Sequence, residues 1–99
     1  MTITAFFSVM PNPDSADALQ AYSEKAGPML GAIGGTNGRR VKIGDAIIGD
    51  QPGFAMAMMM DFPSREALEG MFASEEYKEL IPLREAAFAS FTCVIGEAA

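Results

Sequence analysis

The chain contains no histidine and a single cysteine, Cys93. Without histidine it lacks the commonest general base and the commonest metal ligand. With one cysteine as well, zinc sites of the usual kind and His-dependent nucleophilic triads are excluded. Heme would lack its usual axial ligand, so no cofactor is expected. A lone cysteine makes no internal disulfide and fits a reducing cytoplasm. Basic residues are scarce, 7 against 13 acidic ones, for a net charge of −6. An acidic surface repels phosphate backbones and anionic lipid, so neither nucleic acid nor a membrane surface is an expected partner. No apolar run approaches the roughly 20 residues of a membrane span. The N-terminal "MTITAFFSVMPNP" has neither a basic start nor a long apolar core, so no secretory signal is expected.

What is present is a 99-residue chain of which 49% is apolar, and one domain over residues 1–99 is expected. "ITAFFSV" reads as a strand near 2–9, with Ile3, Ala5, Phe7 and Val9 on one face. Asn12 is a candidate N-cap and Pro13 a candidate first helical residue. Leu19, Tyr22, Ala26, Leu30 and Ile33 recur at helical spacing. Gly27-Pro28 should kink or restart that helix, and "GGTNG" should end it. "RRVKIGDAII" reads as a second strand over 39–48, and "GDQPG" as a turn. A third strand is expected over 54–62. Ser64 and Ser74 are candidate caps of two helices, the second disturbed at its end by Pro82. A last strand is expected over 88–96. The order β-α-β-β-α-β predicts an α+β fold of the ferredoxin-like kind: a four-stranded antiparallel sheet with helices on one face and the first and third strands central.

"GFAMAMMMDF" is the most unusual stretch. As a strand it places Phe54, Met56, Met58, Met60 and Phe62 on one face and Ala55, Ala57, Met59 and Asp61 on the other. Both faces are apolar, whereas a solvated sheet face shows polar residues at every second position. Helices cover one face, and the simplest cover for the other is a second copy, a homodimer through the sheet face. The large residues are expected at the dimer face and the small ones beneath the helices. Thioethers also bind Cu(I), but such sites draw on His or Cys, and packing is the favoured role for these methionines.

"DFPSREALEGMFASEEYKELIPLREAAF" resembles the small bacterial family described as domain of unknown function 1330. The resemblance is carried by an acidic residue before Phe62-Pro63-Ser64, then Ala67, Ser74, Glu76-Tyr77 and Arg84, with Tyr22 and Gly34-Gly35 upstream. Ile33 stands where the family often has an aromatic residue or histidine. The resemblance implies a ferredoxin-like, dimeric α+β barrel. That superfamily includes cofactor-free monooxygenases, heme-handling proteins and small decarboxylase- or isomerase-like enzymes.

Tyr22, Tyr77 and Arg84 are the candidate ligand-binding residues. A hydroxyl pair and the five-donor guanidinium fork suit a small carboxylate-bearing or phenolic ligand between helices and sheet. The plain alternative pairs Arg84 with a glutamate or carbonyl and leaves the tyrosine hydroxyls at the surface. Arg39, Arg40 and Lys42 form the one basic cluster, read as the solvated side of an edge strand. Cys93 reads as inert core and Asp61 as a helix cap. Three function classes follow: a dimer that binds a small apolar or carboxylate-bearing ligand, a cofactor-independent monooxygenase or isomerase, and a structural or interaction module.

Overall fold

A computed structural model of the chain describes residues 2–99. The elements run β1 (Ile3–Pro11), α1 (Ala16–Ala32), β2 (Thr36–Lys42), β3 (Met56–Phe62), α2 (Arg65–Ala73), α3 (Glu75–Lys78), α4 (Ile81–Ala87) and β4 (Phe88–Gly96). The strands form one antiparallel sheet in the order β2-β3-β1-β4. The two central strands are thus the first and third, as the ferredoxin-like arrangement demands.

β1 alternates as its sequence predicts. Ile3, Ala5, Phe7 and Val9 are buried, and Phe6 is exposed on the reverse face. Antiparallel pairing sets Ile3, Ala5, Phe7 and Val9 opposite Phe62, Met60, Met58 and Met56. Directly opposed residues share a face, so the methionine stripe of β3 lies under the helices, packed against the core. The expectation that Ala55, Ala57 and Met59 receive the helices is therefore overturned. A strand's period gives two faces but not which is inward. Here β1 decides, because its buried side already carries the larger apolar residues. The open face combines Thr4, Phe6 and Ser8 of β1 with Ala57, Met59 and Asp61 of β3, Val94 of β4, and Arg39 and Val41 of β2.

α1 begins at Ala16, three residues later than Asn12-Pro13 suggested. Its N-cap is Ser15, and the Asn12 amide instead donates to the Ala86 carbonyl at 2.9 Å. Tying the loop to α4 is a tertiary demand that outweighs local capping preference. The helix also runs through Gly27-Pro28 as one element to Ala32. Tyr22, Ala26 and Leu30, one buried stripe, hold it against the sheet across the lost Pro28 N–H. It ends on glycines. Gly34 adopts φ +93°, its N–H meets the Gly31 carbonyl, and the Gly35 N–H reaches back to Leu30. That is a Schellman closure, which uses the left-handed conformation glycine adopts without strain.

Ser64 and Ser74 cap α2 and α3 as expected, accepting from the Ala67 and Tyr77 N–H groups. Pro82 does not disturb a helix end. It sits in the first turn of the separate helix α4, where a missing N–H is harmless. β2 is the largest departure. It ends at Lys42, and residues 43–55 form an irregular arm where a strand to 48 was expected. Ile47 and Ile48 gave that stretch an apolar look, yet among the described residues no strand pairs with them.

Candidate functional site

Tyr22 on α1, Tyr77 on α3 and Arg84 on α4 converge from three helices. The two tyrosine hydroxyls meet at 2.7 Å in a buried contact, and Arg84 Nη1 donates to the Tyr77 hydroxyl at 3.1 Å. The surface placement of the hydroxyls and the pairing of Arg84 with a glutamate or carbonyl are thereby corrected. Short helices explain the convergence. Ser74 turns the chain into α3 and Pro82 starts α4 at once, so Tyr77 and Arg84 meet although no single helix joins them.

Rings lock the arrangement. Phe72 stands edge-on to Tyr77 at 4.8 Å between centroids, and Phe88 edge-on to Tyr22 at 5.5 Å. The Arg84 guanidinium lies over Phe91, 5.3 Å from its centroid, and 5.7 Å from that of Tyr77. Burial, then the hydrogen bond to Tyr77, pushes the Tyr22 phenol well above the ordinary tyrosine range. Tyr22 therefore holds its proton and serves as a donor rather than a base.

These rings border a cavity of about 190 Å³ between α1, α2 and the helix-facing side of the sheet. Phe7, Met56, Met58, Met60, Phe72 and Phe91 contribute to its wall, with Tyr22 and Tyr77 among its polar groups. Arg84 does not line it and stands behind Tyr77. Arg40 does line it, and was missed by treating the basic cluster as solvated edge. It stands opposite Met58 in the β2–β3 register and so shares the methionine face. Period two along "RRVK" and "MAMMM" carried that signal, but only once the inward face was known. Exposed Gly27 and Arg40 mark the mouth. Among the described residues, no aspartate or glutamate lines the cavity. Among the described residues the ion pairs are Arg65–Glu69 and Lys78–Glu75, so neither Arg40 nor Arg84 has a carboxylate partner.

Two further groups stand apart. Asp61 accepts from Thr4 Oγ1 at 2.7 Å and Asn37 Nδ2 at 3.0 Å, clasping three strands on the open face. It does not cap α2, which Ser64 does. The Asn37 and Thr4 hydrogen bonds hold its carboxyl below the usual range. Cys93 packs against the core, and burial pushes its thiol up to about 11. Among the described residues no group of three or more His, Cys, Asp or Glu side chains converges to hold a metal, and no helix is long and apolar enough to cross a membrane.

Comparison with known proteins places the chain. A family model described as "Domain of unknown function (DUF1330)" matches residues 4–98. No curated protein matches. A protein of unknown function from Rhodopseudomonas palustris superposes with a TM-score of 0.81 at 22% identity, covering 99% of this chain and 82% of that one. A dimeric ferredoxin-like protein of unknown function from Jannaschia sp. gives 0.74 at 12% identity, covering 99% and 100%. SnoaB, a cofactor-independent oxygenase from Streptomyces nogalater, gives 0.71 at 9% identity, covering 98% and 92%. At these identities the likeness is one of fold.

Proposed function

The chain belongs to the domain of unknown function 1330 family, and from that membership and the cavity we propose that it is a homodimeric binding protein for a small, mainly apolar molecule bearing one acidic group. The observation that carries this reading is a largely apolar cavity whose one charged lining residue, among the described residues, is Arg40. A dry apolar cavity of about 150 Å³ accepts a benzene-sized guest, so about 190 Å³ suits a substituted ring. Methionines and edge-on aromatics give such a wall adaptable, polarizable contact. Tyr22 offers its hydroxyl from within, with Tyr77 behind it and Arg84 holding Tyr77 in place. Arg40 at the mouth suits the acidic group. The ligand thus enters ring first.

The dimeric part of this reading draws on similar folds described as dimeric, from Jannaschia sp. and Thermobifida fusca. The protein is read as one domain working in the cytoplasm, where Cys93 stays a thiol.

The test is a titration with benzoate, benzyl alcohol and benzylamine, read by chemical shift. Benzoate should bind best and benzylamine worst, and Arg40→Gln should remove the advantage of benzoate. Binding by none of the three, or an unchanged order in Arg40→Gln, would overturn the reading. A second reading, cofactor-independent oxygenation of a phenolic ligand, is favoured by the fold shared with SnoaB. Oxygen uptake with a phenolic substrate and no added metal would distinguish it from simple binding.

A further inference from the structure

The arm between β2 and β3 carries two adjacent isoleucines clear of the rest of the molecule. Ile47 is 97% exposed and Ile48 91%. Consecutive residues seldom both escape contact, and a soluble chain gains nothing from presenting such a pair to water. The arm is nevertheless organised. Gln51 Oε1 accepts from the Ala46 N–H at 2.9 Å, and Gln51 Nε2 donates to the Gly44 carbonyl at 2.8 Å. Gly49 turns the chain at φ +84°. The base is fastened to the sheet, with Ile43 N–H donating to Ala55 and Ala55 N–H to Val9. The isoleucines are therefore held out on a pinned loop.

We propose that this arm clasps a second copy of the chain, the arm of each copy lying on the open sheet face and basic edge strand of the other. The proposal rests on the reading of the chain as a dimer. Two surfaces on the same molecule fit one another. The open face offers exposed Phe6, Val41 and Val94, and Val41 of β2 makes that face continuous with the base of the arm. The isoleucines lie between exposed Asp45 and Asp50, while β2 presents Arg39 on the open face and Lys42, opposite Met56, on the other side of the same edge strand. None of these four charges is ion-paired within the chain among the described residues. An acid-flanked apolar tip and a basic-edged apolar face are complementary between copies, and twofold symmetry makes both contacts twice. The same aspartates disfavour docking on an anionic membrane.

The test uses the whole chain. In Ile47→Ser/Ile48→Ser the dimer dissociation constant, measured by sedimentation velocity, should rise by roughly 100-fold or more, since four buried isoleucine side chains are lost per dimer. Far-UV circular dichroism should not change, because neither residue touches the core. The sequence has no tryptophan, so Ile48→Trp adds a single reporter. Its emission should shift to the blue as concentration carries the variant from monomer to dimer. A double variant that dimerises as tightly as the parent overturns the clasp and leaves the dimer reading standing. So does a tryptophan that stays red-emitting in a sedimentation-verified dimer. A parent chain that is monomeric up to about 100 µM overturns both.

Discussion

The hydroxyls of Tyr22 and Tyr77 meet at 2.7 Å although 55 residues separate them, and the contact joins α1 to the α3–α4 pair. Arg84 donates to the Tyr77 hydroxyl, whose oxygen can also accept the Tyr22 proton. The consequences of deletion are then unequal. Tyr22→Phe removes one hydrogen bond and leaves Tyr77 partnered by Arg84, at a cost of about 1 kcal/mol. Tyr77→Phe strands both Tyr22 and Arg84 and should cost roughly 1–3 kcal/mol. Because the hydroxyls share one bond, the double variant should cost less than the sum. Urea unfolding of the three variants measures this, and strict additivity would show that the hydroxyls do not interact.

The helix terminus gives a second expectation. A Cβ on Gly35 would lie 2.6 Å from Met60 Sδ, 2.8 Å from the Leu30 carbonyl oxygen and 3.0 Å from the Phe62 ring. The carbonyl is fixed by the Schellman closure and cannot retreat. At Gly34 the obstacle is conformational, since φ +93° is strained for alanine. Gly34→Ala should cost about 1 kcal/mol or more, and Gly35→Ala should cost more still, in thermal unfolding. Equal stability of Gly35→Ala and the parent would contradict the closeness of α1 to β3.

Legibility differed by feature for physical reasons. Local chemistry could be read directly: the alternation of Ile3, Ala5, Phe7 and Val9, the serine caps, and the glycines that stop α1. The βαββαβ order followed from these. What depends on pairing could not be read. Whether Met58 or Met59 faces inward is set by register with Phe7 and Phe6. Whether Arg40 lines a cavity depends in turn on its register with Met58. Ile47 and Ile48 misled because an apolar pair signals burial, and among the described residues nothing buries them. Tyr22, Tyr77 and Arg84 could be picked as convergent polar groups because they match the family pattern, but the separation of α3 from α4 by Pro82 that lets them meet is a tertiary result.

Acid and base should erode stability through different groups. Asp61 has its folded pKa below the ordinary 3.8, so its contribution is present above that value and lost as pH falls through the folded one. Cys93 is raised from 9.0 to about 11. Its contribution is complete below 9.0 and is lost as pH rises toward about 11, where the unfolded chain ionises first. Tyr22, raised likewise, adds to the loss above pH 10. Unfolding free energy across the pH range should show both slopes. Asp61→Asn should flatten the acid one and Cys93→Ala the first part of the alkaline one. Ellman's reagent should react slowly with the folded protein at pH 8 and quickly in denaturant.

The last expectation separates the two faces of β3. Met60 stands opposite buried Ala5, lines the cavity and presses on Gly35. A carboxylate there has no cation directly opposite in the β2 register, in contrast to position 58, which faces Arg40. Burying an unpaired charge is among the few single changes that exceed about 3 kcal/mol, so Met60→Asp should unfold the domain or expose its core to a hydrophobic dye. Met59 stands opposite Phe6 and Arg39 on the open face. Met59→Asp should keep its fold, since Arg39 is at hand to neutralise the charge. If the open face is where two copies meet, the same carboxylate also weakens the dimer. Circular dichroism and sedimentation of the two variants then give opposite pairs of results: an unfolded Met60→Asp, and a folded, more weakly associating Met59→Asp. A folded Met60→Asp beside an unfolded Met59→Asp would mean that the methionine stripe faces the partner rather than the helices.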